Sequence, residues 1–143
     1  MWGKRTVVCM ISIASILFLW MIFINFREVS IIENVEKCNV VKVAYNPYFD
    51  QKKGALQEIS AFDENKILSC LSNYKEKKTF NKCKGGYLGE YQLNIYVAID
   101  NKLKIIALGN ENFSCYAYGS SKYKIIDAEH LKYDLISIIE GDD

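Results

Sequence analysis

Between Tyr91 and Ile99 the chain alternates without a break. Tyr91, Leu93, Ile95, Val97 and Ile99 fall on one side, and Gln92, Asn94, Tyr96 and Ala98 on the other. A period of two with one apolar side predicts a half-buried antiparallel strand. The same pattern recurs more weakly on both sides of it. Val41, Val43 and Tyr45 alternate in a β-branched run that Asn46-Pro47 ends, and Leu56 to Phe62 follows as a second strand. Asp100-Asn101, Gly109-Asn110 and Gly119-Ser120-Ser121 divide the later part into strands at Leu103 to Leu108, Phe113 to Tyr118 and Lys122 to Ile126.

Two stretches carry helical spacing instead. Ile67, Leu68, Leu71 and Tyr74 form an apolar stripe behind the potential N-cap Asp63, which predicts a helix over about 64–77. Asp127 precedes a second stripe of Ala128, Leu131, Leu135, Ile138 and Ile139 that ends near Gly141. The predicted order is β-β-α-β-β-β-β-α, an α+β domain over 38–143 with a small antiparallel sheet and both helices on one face.

The first part of the chain has no period at all. Residues 6–26 contain no formal charge and include twelve Val, Ile, Leu and Phe side chains. At 1.5 Å per residue such a helix is about 31 Å long, close to the hydrocarbon thickness of a bilayer. The twelve side chains favour insertion by about 4 to 7 kcal/mol. Phe23-Ile24-Asn25-Phe26 at the end of the run does not resemble a small-residue cleavage site. The run therefore reads as an uncleaved transmembrane signal anchor over 6–26. Lys4 and Arg5 precede it, whereas Arg27 is offset by Glu28, so residues 1–5 are expected in the cytoplasm. Residues 27–37, charged with scattered apolar positions, read as a stalk.

Cysteine use bears on the compartment. With Cys9 inside the apolar run, Cys38, Cys70, Cys83 and Cys115 remain, an even number in a small domain and suited to disulfides in a periplasmic or extracellular setting. Of three possible connectivities, Cys70 with Cys83 and Cys38 with Cys115 is preferred here. Four free thiols in a cytoplasmic domain is the alternative. No C-x-x-C or histidine pair suggests a metal, and no motif asks for a cofactor. Setting Lys4 and Arg5 aside from the 18 basic residues leaves 16 against 17 acids, which gives no nucleic-acid footprint.

Candidate chemistry is sparse. His130 stands four residues from Asp134 but lacks a nucleophile in a supporting context, and Ser120 and Ser121 carry no catalytic motif. Asp63-Glu64 and the Glu140, Asp142, Asp143 group sit at helix or chain ends rather than as paired carboxylates. Lys75, Lys77, Lys78, Lys82 and Lys84 form a basic patch. They suit the negative end of a helix dipole, or else anionic headgroups or an acidic partner. Tyr96, Tyr116 and Tyr118 fall opposite the most hydrophobic register and, with Gln92 and Asn94, are candidates for an open protein-binding face.

The leading expectation is a non-enzymatic, single-pass, extracytoplasmic protein-binding module, of the kind an immunity or inhibitor protein provides. Its partners are the membrane and a protein. An accessory subunit or sensor of an envelope complex is the alternative, and an envelope hydrolase acting through His130 or a carboxylate pair is a third reading.

Overall fold

A computed structural model describes residues 3–83, 91–116 and 120–141. Among them are three α-helices and eight strands, and the strands form one antiparallel sheet. The first helix, α1 (Lys4–Asn25), exposes its apolar side chains: none of the helix from Thr6 to Asn25 is buried, and its mean hydropathy reaches 2.8. It is long and apolar enough to cross a membrane. Its polar side chains bond back to the helix itself. Ser12 donates to Val8 O at 3.0 Å, Ser15 to Ile11 O at 2.9 Å and Asn25 to Met21 O at 2.8 Å. Those bonds lower the cost of placing the groups in hydrocarbon.

The strands are β1 (Glu28–Ser30), β2 (Cys38–Tyr45), β3 (Gln57–Ile59), β4 (Lys75–Lys82), β5 (Tyr91–Ile99), β6 (Lys102–Gly109), β7 (Phe113–Cys115) and β8 (Ser121–Ile125). Their order across the sheet is β1-β4-β8-β7-β6-β5-β2-β3. The β5–β6 hairpin turns through Asp100 and Asn101, both at positive φ (47° and 64°), as a two-residue turn matched to strand twist requires. At both edges lie strands of three residues, a length that offers little unpaired backbone to another chain.

Helix α2 (Glu64–Asn73) starts as expected, with the Asp63 carboxylate accepting from Lys66 N at 3.0 Å. Helix α3 (Ala128–Glu140) ends on Gly141 at φ 76°. Ile67, Leu68 and Leu71 of α2 and Leu131 and Leu135 of α3 join Val43, Leu93, Ile95, Val97, Ile106 and Leu108 in one buried cluster. Both helices thus pack against the same side of β2, β5 and β6. A smaller cluster of Cys83, Ala107, Phe113 and Cys115 lies apart from it.

Three features differ from the sequence-based expectation. First, α2 stops at Asn73, and residues 75–77, expected to finish that helix, instead open β4, which runs on to Lys82. The inward position of β4 is Glu76, only 2 % exposed, so the run K-E-K-K lacks the apolar alternation that would announce a strand. Second, the segment 27–37 is not a free stalk. It carries β1, which pairs with β4, and then buries Ile31 and Ile32 in the main core, with Ile31 N donating to Tyr74 O at 3.0 Å. The element order therefore gains two strands. Third, the disulfide joins Cys83 to Cys115, Cα atoms 6.4 Å apart, while Cys38 and Cys70 are free. The preferred pairing placed Cys70 and Cys83 across one helix end. With β4 between them, Cys83 lies beside β8 (its N–H bonds Ser120 O at 2.8 Å) and hence near β7.

Candidate functional site

The most unusual chemistry lies inside the sheet. Lys104 alternates with Ile106 and Leu108 on β6, so its side chain enters the core side and is only 1 % exposed. Its Nζ donates to Glu76 Oε1 on β4 at 2.5 Å and to Ile31 O at 2.7 Å. The other carboxylate oxygen of Glu76 accepts from the Ser114 hydroxyl on β7. The Tyr116 and Tyr123 rings lie 4.8 Å and 5.8 Å from the same ammonium, within cation–π range. Burial pushes Glu76 up and Lys104 down, each toward its neutral form, and their mutual contact opposes both shifts. Every hydrogen-bonding group of the carboxylate is engaged, the condition under which a buried ion pair is tolerated.

Beside this cluster is a polar recess of about 330 Å³. Ser30, Glu33, Asn34, Asp100, Tyr116 and Tyr123 line it, together with Glu76. Burial, and then the charge of Glu76, pushes the Tyr116 phenol up to about 12, which keeps it a neutral donor at physiological pH. A second, more open cleft of about 880 Å³ runs along α2 and α3 past Cys70, Tyr74 and Asp134, where the Tyr74 hydroxyl donates to Asp134 at 2.5 Å. Burial and the nearby Asp134 push the Cys70 thiol up to about 11, the opposite of what a nucleophilic cysteine needs. The Cys38 thiol is also raised, by burial and then by Asp100.

The residues singled out from sequence do not form one surface. Tyr96 is half-buried on the side of β5 away from the helices, whereas Gln92 and Asn94 beside it are 7 % and 1 % exposed, so the open face is closed at those positions. Asn94 stands between Ala44 and Ala107 in the ladder, and its Oδ1 has no hydrogen-bond partner among the described residues. Tyr116 lines the recess on the opposite side of the sheet from Tyr96, because Ser114 pairs with core-facing Ile106 and Tyr116 shares its parity. Tyr118 and Lys84 lie outside the described residues. The remaining lysines of the basic patch belong to a strand and not to a helix end. Lys75, Lys77 and Lys82 are exposed and Lys78 is half-buried.

The candidate acids have structural partners. Asp63 caps α2; Glu64 accepts from Val40 N at 2.8 Å, where the β2 ladder shifts register; Glu140 accepts from the Tyr45 hydroxyl at 2.6 Å. His130 does not pair with Asp134. Its Nδ1 lies 2.6 Å from Asp127, whose carboxylate makes no helix cap, and Asp134 is taken by Tyr74. Missed altogether were Glu76, Lys104 and Ser114. Lys104 did leave a signal, a lysine in phase with Ile106 and Leu108 inside an apolar strand.

The Asp127 contact raises the pKa of His130 above the ordinary histidine value. Asp127→Asn is expected to move the His130 midpoint back down, as followed by NMR of the ring protons. An unchanged midpoint would assign the shift to something other than that carboxylate. No family model, curated protein or solved structure matches the chain.

Proposed function

We propose that this chain is a single-pass membrane protein that holds a non-catalytic, protein-binding α+β domain in an oxidising compartment, the periplasm or the cell exterior. One observation carries the reading: α1 leaves its apolar surface wholly unburied, while the domain behind it closes a Cys83–Cys115 disulfide. An unburied apolar helix of this length is stable in hydrocarbon and not in water. A disulfide of this kind persists where thiols are not kept reduced. The basic flank of Lys4 and Arg5 favours a cytoplasmic amino terminus.

A binding role fits the chemistry better than catalysis. Glu76 and Lys104 neutralise each other, the candidate acids cap or brace backbone and side chains, and neither Cys38 nor Cys70 is an activated thiol. We assign the contact surface to the mouth of the recess, where Tyr116 and Tyr123 combine apolar area with polar tips beside Glu33 and Asn34.

A membrane-impermeant maleimide applied to intact cells should label Cys38 and Cys70 without reduction, and Cys83 and Cys115 only after it. Labelling that requires permeabilised cells would put the domain in the cytoplasm and remove the proposal. For the binding surface, a photo-crosslinking residue in Tyr123→p-benzoylphenylalanine should give a discrete protein adduct in intact cells, weakened several-fold by Tyr116→Ser. Absence of any protein adduct would contradict a protein partner at the recess.

A further inference from the structure

An exposed aromatic side chain from the sheet lies beside the end of α1. Phe80 of β4 is 86 % exposed, yet its ring lies 4.4 Å from that of Phe26, the residue that follows the last helical position. The strand is shaped to present it. Between Lys78, opposite Tyr123, and Lys82, opposite Ser121, β4 uses four positions where β8 uses two. Such an insertion bulges the strand and frees the residues within it from the ladder. Thr79 holds the bulge in place: its hydroxyl donates to Lys122 O at 2.7 Å and accepts from Asn81 N at 3.2 Å. Beyond the β1 pairing, which ends at Glu28 with Lys77, this part of β4 is also the edge of the sheet.

Cations surround the bulge. Lys78 and Lys82 flank Phe80 at two-residue spacing, Lys77 and Lys124 pair just above it, and Arg27 follows Phe26. Of the acids nearby, Glu28 pairs with Lys77 in the ladder, Glu76 is turned inward and held by Lys104, and Glu111 is taken by Lys122. An exposed aromatic side chain flanked along its strand by lysines is the composition of a surface that seats in the headgroup layer of an anionic bilayer.

We propose that the β4 bulge docks on the anionic membrane surface, with Phe80 inserted among the headgroups and Lys77, Lys78 and Lys82 against lipid phosphates, so that the domain lies against the bilayer. This rests on the reading of α1 as a membrane anchor. Depth decides for lipid over an acidic protein: whatever surrounds Phe26 at the helix end also surrounds Phe80, one ring away. The helix runs into β1 within three residues, about 10 Å of chain at full extension, so the β1–β4 edge cannot leave the surface.

The test uses the full chain in nanodiscs of mixed phosphatidylglycerol and phosphatidylcholine. Trp2→Phe and Trp20→Phe remove the two tryptophans, and Phe80→Trp, at an exposed position, introduces one reporter. The expected result is co-migration with the discs and several-fold quenching of the reporter by lipid brominated near the headgroup. The quenching should be weaker with bromine at the chain end, and reduced at least twofold by Lys77→Gln/Lys78→Gln/Lys82→Gln or by pure phosphatidylcholine. Co-migration without quenching overturns the docking and leaves the anchor standing. Failure to co-migrate overturns both. Quenching that is equal in zwitterionic discs and unchanged by the lysine substitutions overturns the role given to lipid phosphate.

Discussion

Lys104 and Glu76 should not be able to touch in a flat sheet. The order β4-β8-β7-β6 separates their strands by three steps, about 14 Å at ordinary strand spacing, yet Nζ and Oε1 are 2.5 Å apart. The sheet must therefore coil about the space that these side chains share. Four segments are tied at this point: β4 through Glu76, β6 through Lys104, β7 through Ser114 and the chain after β1 through Ile31 O. The rest of the architecture follows from that closure. It brings Ile31 and Ile32 under the helices, leaves β1 at the edge, and opens the recess that Tyr116 and Tyr123 line. Burying two ions costs several kcal/mol each, and only their contact and the added hydrogen bonds offset it.

That tie also explains which parts of the fold are legible in the sequence. The strands β2, β5 and β6, the start of α2 and the register of α3 write their burial as apolar periodicity, and the first helix shows itself by an unbroken apolar run that the domain does not bury. The strand β4 does not, because its inward residue is a carboxylate; β1 does not, because three residues are too few to show a period. A reading by hydrophobic pattern assigned 75–77 to a helix and 27–37 to a stalk for those reasons. The cysteine pairing went astray with them: once β4 is missed, Cys83 has no strand to carry it to Cys115. The sheet face was misjudged differently. Alternation places Gln92 and Asn94 correctly on the side away from the helices, but says nothing about whether that side is covered, and in β7 the more apolar register, Phe113 and Cys115, belongs to the smaller cluster, so Tyr116 falls on the side of the main core.

The polar groups divide into those that hold the fold and those that face outward near the end of α1. Glu64, Glu140, Asp63 and Thr79 each satisfy a particular backbone or side-chain group, and two of them, Glu64 and Thr79, do so where a ladder shifts register. Irregularities in the sheet are braced rather than tolerated. One of the braced irregularities carries Phe80 against Phe26 at the end of α1, which links the internal order of the sheet to the placement of the first helix.

A double-mutant cycle on the full chain in nanodiscs tests the buried pair as a structural tie most directly. Urea unfolding of the domain, followed by tyrosine circular dichroism, should show Lys104→Met and Glu76→Leu each costing about 3–5 kcal/mol, because each strands an unpaired buried charge. The double variant should cost far less than the sum, with the recess crosslink retained. Additive losses, or a double variant that unfolds as readily as the sum implies, would contradict it.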